Sequence, residues 1–91
     1  MQLRWTEEAA QDLERIADYL LLHAPDRAHD LIDRVYDAPN TLLTLPERGR
    51  RGKRQGTREL VLAPLPYVVV YAIRDDVVFV VRILHGAQQW P

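Results

Sequence analysis

Two spacings of apolar side chains divide the sequence. From Thr6 to about His23 they recur every three or four residues, at Leu13, Ile16, Ala17, Leu20 and Leu21, which predicts one amphipathic helix. Thr6 is placed to cap its first turn, and Glu7 and Glu8 to sit where the helix dipole favours negative charge. Ala24-Pro25 breaks the pattern. It resumes at Ala28, Leu31, Ile32, Val35 and Tyr36, predicting a second helix with Pro25 at its first position and Asp26 in its first turn. The short connection makes the two helices an antiparallel hairpin. Pro39 cannot bond back to Val35 and should interrupt the second helix, leaving a further turn over Leu42, Leu43 and Leu45 before Pro46 ends it.

Elsewhere the spacing is two. Leu3 and Trp5 define a short first strand over residues 2–5. Arg58–Leu62, Tyr67–Ile73 and Val77–Leu84 are rich in β-branched residues and predict three more, with Asp75-Asp76 as a tight turn. The predicted fold class is α+β: an antiparallel sheet with an N-terminal α-helical hairpin packed on it, in the order β-α-α-β-β-β. The 91 residues suit a single domain over 1–91.

Both faces of this sheet read as apolar. In the third strand Tyr67, Val69, Tyr71 and Ile73 oppose Val68, Val70 and Ala72. In the fourth Phe79, Val81 and Ile83 oppose Val78, Val80 and Leu84, with Arg82 the one charge. A two-helix hairpin covers one face, and an apolar patch left on the other would call for a cover. The candidates are the chain's own connector and tail, a second copy of the chain, or a separate polypeptide.

Charge adds a second surface. The net charge is −1, but residues 1–47 carry ten acids and four bases, whereas 48–91 carry three acids and eight bases. Net charge therefore gives no case for bulk nucleic-acid binding, and segregation leaves a local one. Residues 47–57 hold three glycines and five of the twelve basic residues, so they read as a basic loop. Arg48, Arg50, Arg51, Lys53 and Arg54, with Arg58 at its edge, are either a solvated turn or contacts to a phosphate or an acidic target. The absence of cysteine removes disulfides and thiolate chemistry and suits a reducing cytoplasm. No run approaches the ~20 apolar residues of a membrane span, and no apolar signal core follows Met1. His23 and His29 are wrongly spaced for a metal pair, so neither a metal nor a cofactor is expected.

The order of elements and a set of short motifs resemble the RelE/ParE family of toxins from type II toxin–antitoxin pairs. The motifs are Trp5-Thr6, Asp12-Leu13 with Tyr19, Leu45-Pro46 with Gly49-Arg50, Gly56-Thr57-Arg58-Glu59-Leu60, Pro66-Tyr67 with Tyr71, and Arg82-Ile83-Leu84-His85-Gly86-Ala87-Gln88 with Trp90-Pro91. The resemblance implies a helix hairpin on an antiparallel sheet. It also implies a cognate antitoxin, ParD-like with a ribbon-helix-helix part, that lays a C-terminal segment across the toxin and alone contacts operator DNA. The candidate surface for that segment is Val68, Val70, Val78, Val80 and Trp90.

The family has two branches. RelE-type members cut ribosome-bound mRNA without a metal, whereas ParE-type members poison DNA gyrase with no chemistry of their own. The ribonuclease pattern carries arginines where this chain has Val68 and Gly86, and an acid/base group near the C-terminus, where Trp90 cannot transfer a proton. Arg82 and His85 would be its remaining catalytic residues. Arg82 reads equally as the partner of an acid on the first helix, and His85 as a backbone-bonded histidine. The ParE-like reading expects no catalytic residue; a decayed, non-toxic binding module is the third alternative.

Overall fold

The structure, a computed structural model, describes residues 1–86. Trp90, with the rest of the tail, lies outside the described residues. The elements are β1 (Gln2–Trp5), α1 (Glu7–His23), α2 (Ala28–Asp37), a 3₁₀ helix (Ala38–Leu43), β2 (Arg50–Arg51), β3 (Thr57–Val61), β4 (Tyr67–Arg74) and β5 (Val77–His85). The class and order are those predicted, with two additions. The basic loop contains a two-residue strand, β2, paired antiparallel with β3. The sheet is mixed, in the order β1-β5-β4-β3-β2, because β1 lies parallel to β5 at its edge.

Several local predictions hold. The Thr6 hydroxyl accepts the Ala9 N–H at 3.1 Å and caps α1. It also donates to the Val81 carbonyl at 3.0 Å, so one side chain joins the helix start to the sheet. Asp75 and Asp76 both take positive φ, 52° and 62°, which gives the β4–β5 turn the twist a two-residue hairpin needs. Pro39 lies in the first turn of the 3₁₀ helix, where its missing N–H costs no helical bond. Pro25 does not start α2, which begins at Ala28.

The predicted alternation of β5 is corrected by a bulge. Val70 pairs with Arg82 and Tyr71 with Val80, so Val81 has no partner on β4. One extra residue reverses the facing of everything after it. Val78, Val80 and Ile83 therefore all join the core beneath the helices, with Val69, Tyr71, Val35, Leu42 and Ala9. On the other face Val70 and Leu84 are buried and Val68, Ala72 and Phe79 are partly covered. The second face is thus not the bare apolar patch that strict alternation implies. Val70, Val78 and Val80 are fully enclosed by the chain and offer no surface to an antitoxin.

Tyr71 holds the approach to the basic loop. Its buried hydroxyl donates to the Pro46 carbonyl at 2.7 Å and accepts the Gly49 N–H at 2.9 Å. A Cβ at Gly49 would stand 2.7 Å from that ring and hydroxyl, so only glycine fits there. Tyr71→Phe leaves both backbone groups unpaired and should cost about 1–3 kcal/mol, read from the midpoint of urea unfolding.

Candidate functional site: a helix-side groove, a sheet cleft and a basic basin

β1 ends at Trp5, opposite Val80, and leaves the outer edge of β5 unpaired beyond that point. Asp12 on α1 takes the place of the missing strand. Its Oδ2 accepts the Ile83 N–H at 2.9 Å, and its two oxygens take the Arg82 Nε and Nη2 at 2.7 and 3.1 Å. Arg15 closes the outer side. Asp12 is only 4% exposed, so the pair is a buried, bidentate one. The bond to Asp12 raises the Arg82 guanidinium above its ordinary pKa, more than burial lowers it. Of the two readings of Arg82, the structure takes the partnership with helix one.

Above this lock runs a groove of about 550 Å³ between α1, α2 and the β3–β4 connector. Ile16, Tyr19, Leu20 and Leu31 form its helical walls, and Leu65, Tyr67, Ile83 and His85 lie opposite. Tyr19 is 59% exposed and tilts against His23, with ring centres 4.4 Å apart. Tyr67 meets His85 edge-on at 6.0 Å. Burial, and secondarily the neighbouring Tyr19, push the Tyr67 phenol above its usual pKa of 10.0. Tyr19 enters the sequence only as part of a family motif; its exposure over an apolar groove is what the sequence did not reveal.

On the opposite side of the sheet a cleft of about 60 Å³ is lined by Arg50, Lys53, Glu59, Val68, Leu84, His85 and Gly86. Val68 and Gly86 thus share one cleft with His85. Glu59 is buried and bridged by Arg50 at 2.9 Å.

The six loop cations do not act as one group. Arg48 donates to Thr41 Oγ1, and Arg50 is held by Glu59. Arg58 donates to the carbonyls of Glu47 and Gly49 and faces the Glu47 carboxylate at 4.0 Å. Arg51, Lys53 and Arg54 line a separate basin at the loop tip with Arg58 and Ile73. Among the described residues no group of three metal-ligating side chains occurs, and no helix is long and apolar enough to cross a membrane.

Comparison with known proteins places this architecture. Residues 3–90 match the ParE toxin family of type II toxin–antitoxin systems (parDE). Toxin-named protein Y4kP of Sinorhizobium fredii is 39% identical over 90 residues, 99% of this chain and 93% of that one. Toxin RelE2 of Caulobacter vibrioides is 40% identical over 87 residues, 96% of this chain and 97% of that one. A structure from the chromosomal ParDE system of P. aeruginosa superimposes with a TM-score of 0.85 at 25% identity, over 93% of this chain and 95% of that one. The chain belongs to the ParE-type toxin family of type II toxin–antitoxin systems, and membership implies an antitoxin partner.

Proposed function

We propose that this toxin acts in the cytoplasm by binding DNA gyrase, not by cutting RNA. The observation that carries this reading is the makeup of the cleft around His85. Cleavage by a ribose 2′-hydroxyl needs charge stabilisation at the phosphate and a proton acceptor. Val68 and Gly86 supply neither. Arg82, the remaining cation of the ribonuclease pattern, is committed to Asp12. The Tyr67 phenol is pushed further from ionisation, and Glu59 is engaged by Arg50. A cleft of about 60 Å³ is also small beside the roughly 300–1,000 Å³ of typical ligand sites. A toxin with no chemistry of its own is the behaviour that the ParE branch implies, and gyrase is the target that goes with it.

The antitoxin, a ParD-like ribbon-helix-helix protein, would lay an apolar segment in the groove between α1 and the β3–β4 connector. That groove replaces the valine face suggested by alternation. Contact with operator DNA would come only through the antitoxin.

Purified toxin is expected to block supercoiling by gyrase in vitro, and His85→Ala should keep that inhibition and its toxicity. Supercoiling that runs unchanged while ribosome-bound mRNA is cut would overturn the reading in favour of a ribonuclease. Expression without antitoxin that leaves growth unaffected would make the chain a binding module alone.

A further inference from the structure

β2 covers only part of β3. It pairs with Glu59 and Arg58, and the chain before it leaves the sheet at Gly49, whose N–H turns inward to the Tyr71 hydroxyl. The outer edge of β3 is therefore open from Leu60 onward. Main-chain groups along a strand point alternately to its two neighbours. Leu62 N–H bonds the Tyr67 carbonyl on β4, so Val61 points its N–H and C=O the other way, into the place β2 does not reach. Neither group has a partner among the described residues. That place is a slot of about 240 Å³. The sheet and connector contribute Leu60, Val61 and Leu65 to its lining, and the helical side contributes Arg34, Thr41 and Arg48. No acid lines it. Arg48 donates to the neutral Thr41 hydroxyl at 3.1 Å, and neither arginine is in an ion pair among the described residues. Leu65 also lines the helix-side groove, so groove and slot meet across the β3–β4 connector.

These features specify an occupant. Unpaired N–H and C=O groups on a strand edge take an extended main chain. Two arginines without a carboxylate partner take an acidic side chain. A polypeptide that leaves the groove past Leu65 arrives at both. A second copy of the toxin does not fit, because pairing two β3 edges about a two-fold axis would bring the arginines of both copies together. We infer that the antitoxin segment, on leaving the groove, adds to the edge of β3 as a short strand at Val61 and sets a carboxylate between Arg34 and Arg48. The inference rests on the groove being the antitoxin's seat, and it is independent of whether gyrase is the target.

Val61→Pro tests the strand. It removes an N–H that the free toxin leaves unpaired, at an edge position where proline is tolerated. The unfolding midpoint should barely move, whereas affinity for purified antitoxin, measured by calorimetry, should fall about tenfold. A side-chain change at Val61 that keeps the N–H should not have this effect. Arg34→Ala/Arg48→Ala should also lose about tenfold, by a margin that shrinks as salt rises. A control that removes the same charge elsewhere, Arg4→Ala/Arg27→Ala, should bind like the unaltered protein. Should Val61→Pro fail to fold, hydrogen exchange on the unaltered toxin decides: the Val61 amide should exchange freely alone and become protected when antitoxin binds. Unchanged exchange there overturns the proposal. So does normal binding by Val61→Pro and the double variant while Tyr19→Ala is weakened, a result that keeps the groove and removes the edge. Normal binding by all of them, Tyr19→Ala included, overturns the groove as well. Equal loss in the control would reduce the contact to net charge, and a toxin dimer abolished by Val61→Pro would give the edge to a second copy; either overturns the proposal.

Discussion

Asp12→Ala is expected to remove a large share of the protein's stability, about 3–5 kcal/mol. The substitution removes the acceptor of the Ile83 N–H and of both Arg82 donors, leaving a guanidinium with only 16% of its side chain exposed and without its hydrogen-bonded carboxylate. Breaking a buried pair from one side costs about 3–5 kcal/mol, because the orphaned charge stays behind. A chain of 91 residues has total stability on the order of 5–14 kcal/mol, so the loss is a large share of it. Asp12→Asn should cost less, since its amide oxygen can still accept the Ile83 N–H. The double variant Asp12→Ala/Arg82→Met should recover part of the loss by removing the stranded charge, a non-additivity that a simple packing role for Asp12 would not produce. Urea unfolding followed by circular dichroism reads all three. A shift under about 1 kcal/mol for Asp12→Ala would show that the strand edge does not depend on it.

The same lock explains why the sequence identifies the family more readily than the activity. Asp12 and Arg82-Ile83 are two of the motifs behind the resemblance, and they meet at one point. Leu45-Pro46, Gly49 and Tyr71 are others, and they meet at the Tyr71 hydroxyl. Trp5-Thr6 joins β1 to α1 and stacks its indole on Tyr36 at 5.6 Å. These motifs hold the fold. A motif that holds the fold says nothing of the toxin's target. The positions on which the proposed choice of branch rests, Val68 and Gly86, lie instead in the cleft beside His85.

The two helices, the Thr6 cap and the Asp75-Asp76 turn were legible because each rests on local spacing or local backbone preference. The facing of β5 was not. Val77 to Val81 is an unbroken apolar run, so a bulge at Val81 moves no polar residue into the core and leaves no mark on the pattern. The parallel seat of β1 beside β5 is a contact between the two ends of the sequence, and four residues carry too little alternation to specify it. β2, two residues long inside an arginine run, lies below any periodicity signal. The consequence reached the site: alternation offered Val78 and Val80 to a partner, and the bulge puts them under the helices.

That reassignment yields the second large effect. Tyr19→Ala should weaken antitoxin binding by about 2 kcal/mol, some 30-fold, because an exposed aromatic at the centre of an apolar groove has the character of an interface hot spot. The ring stands 59% exposed and packs on His23, so its loss should leave the unfolding midpoint nearly unchanged. Val61 provides the contrast. It is 46% exposed and pairs with Val68, on the sheet face opposite the helices. Val61→Asp should leave antitoxin affinity alone if the segment lies in the groove. Calorimetry with purified antitoxin measures both. Loss of affinity in Val61→Asp with none in Tyr19→Ala would move the segment to the far face of the sheet, where its contacts would be Val61 and the partly covered Val68, because Val70, Val78 and Val80 are closed to it. In cells, a Tyr19→Ala toxin that escapes its antitoxin should arrest growth under co-expression that protects against the unaltered protein, an outcome that loss of folding would reverse.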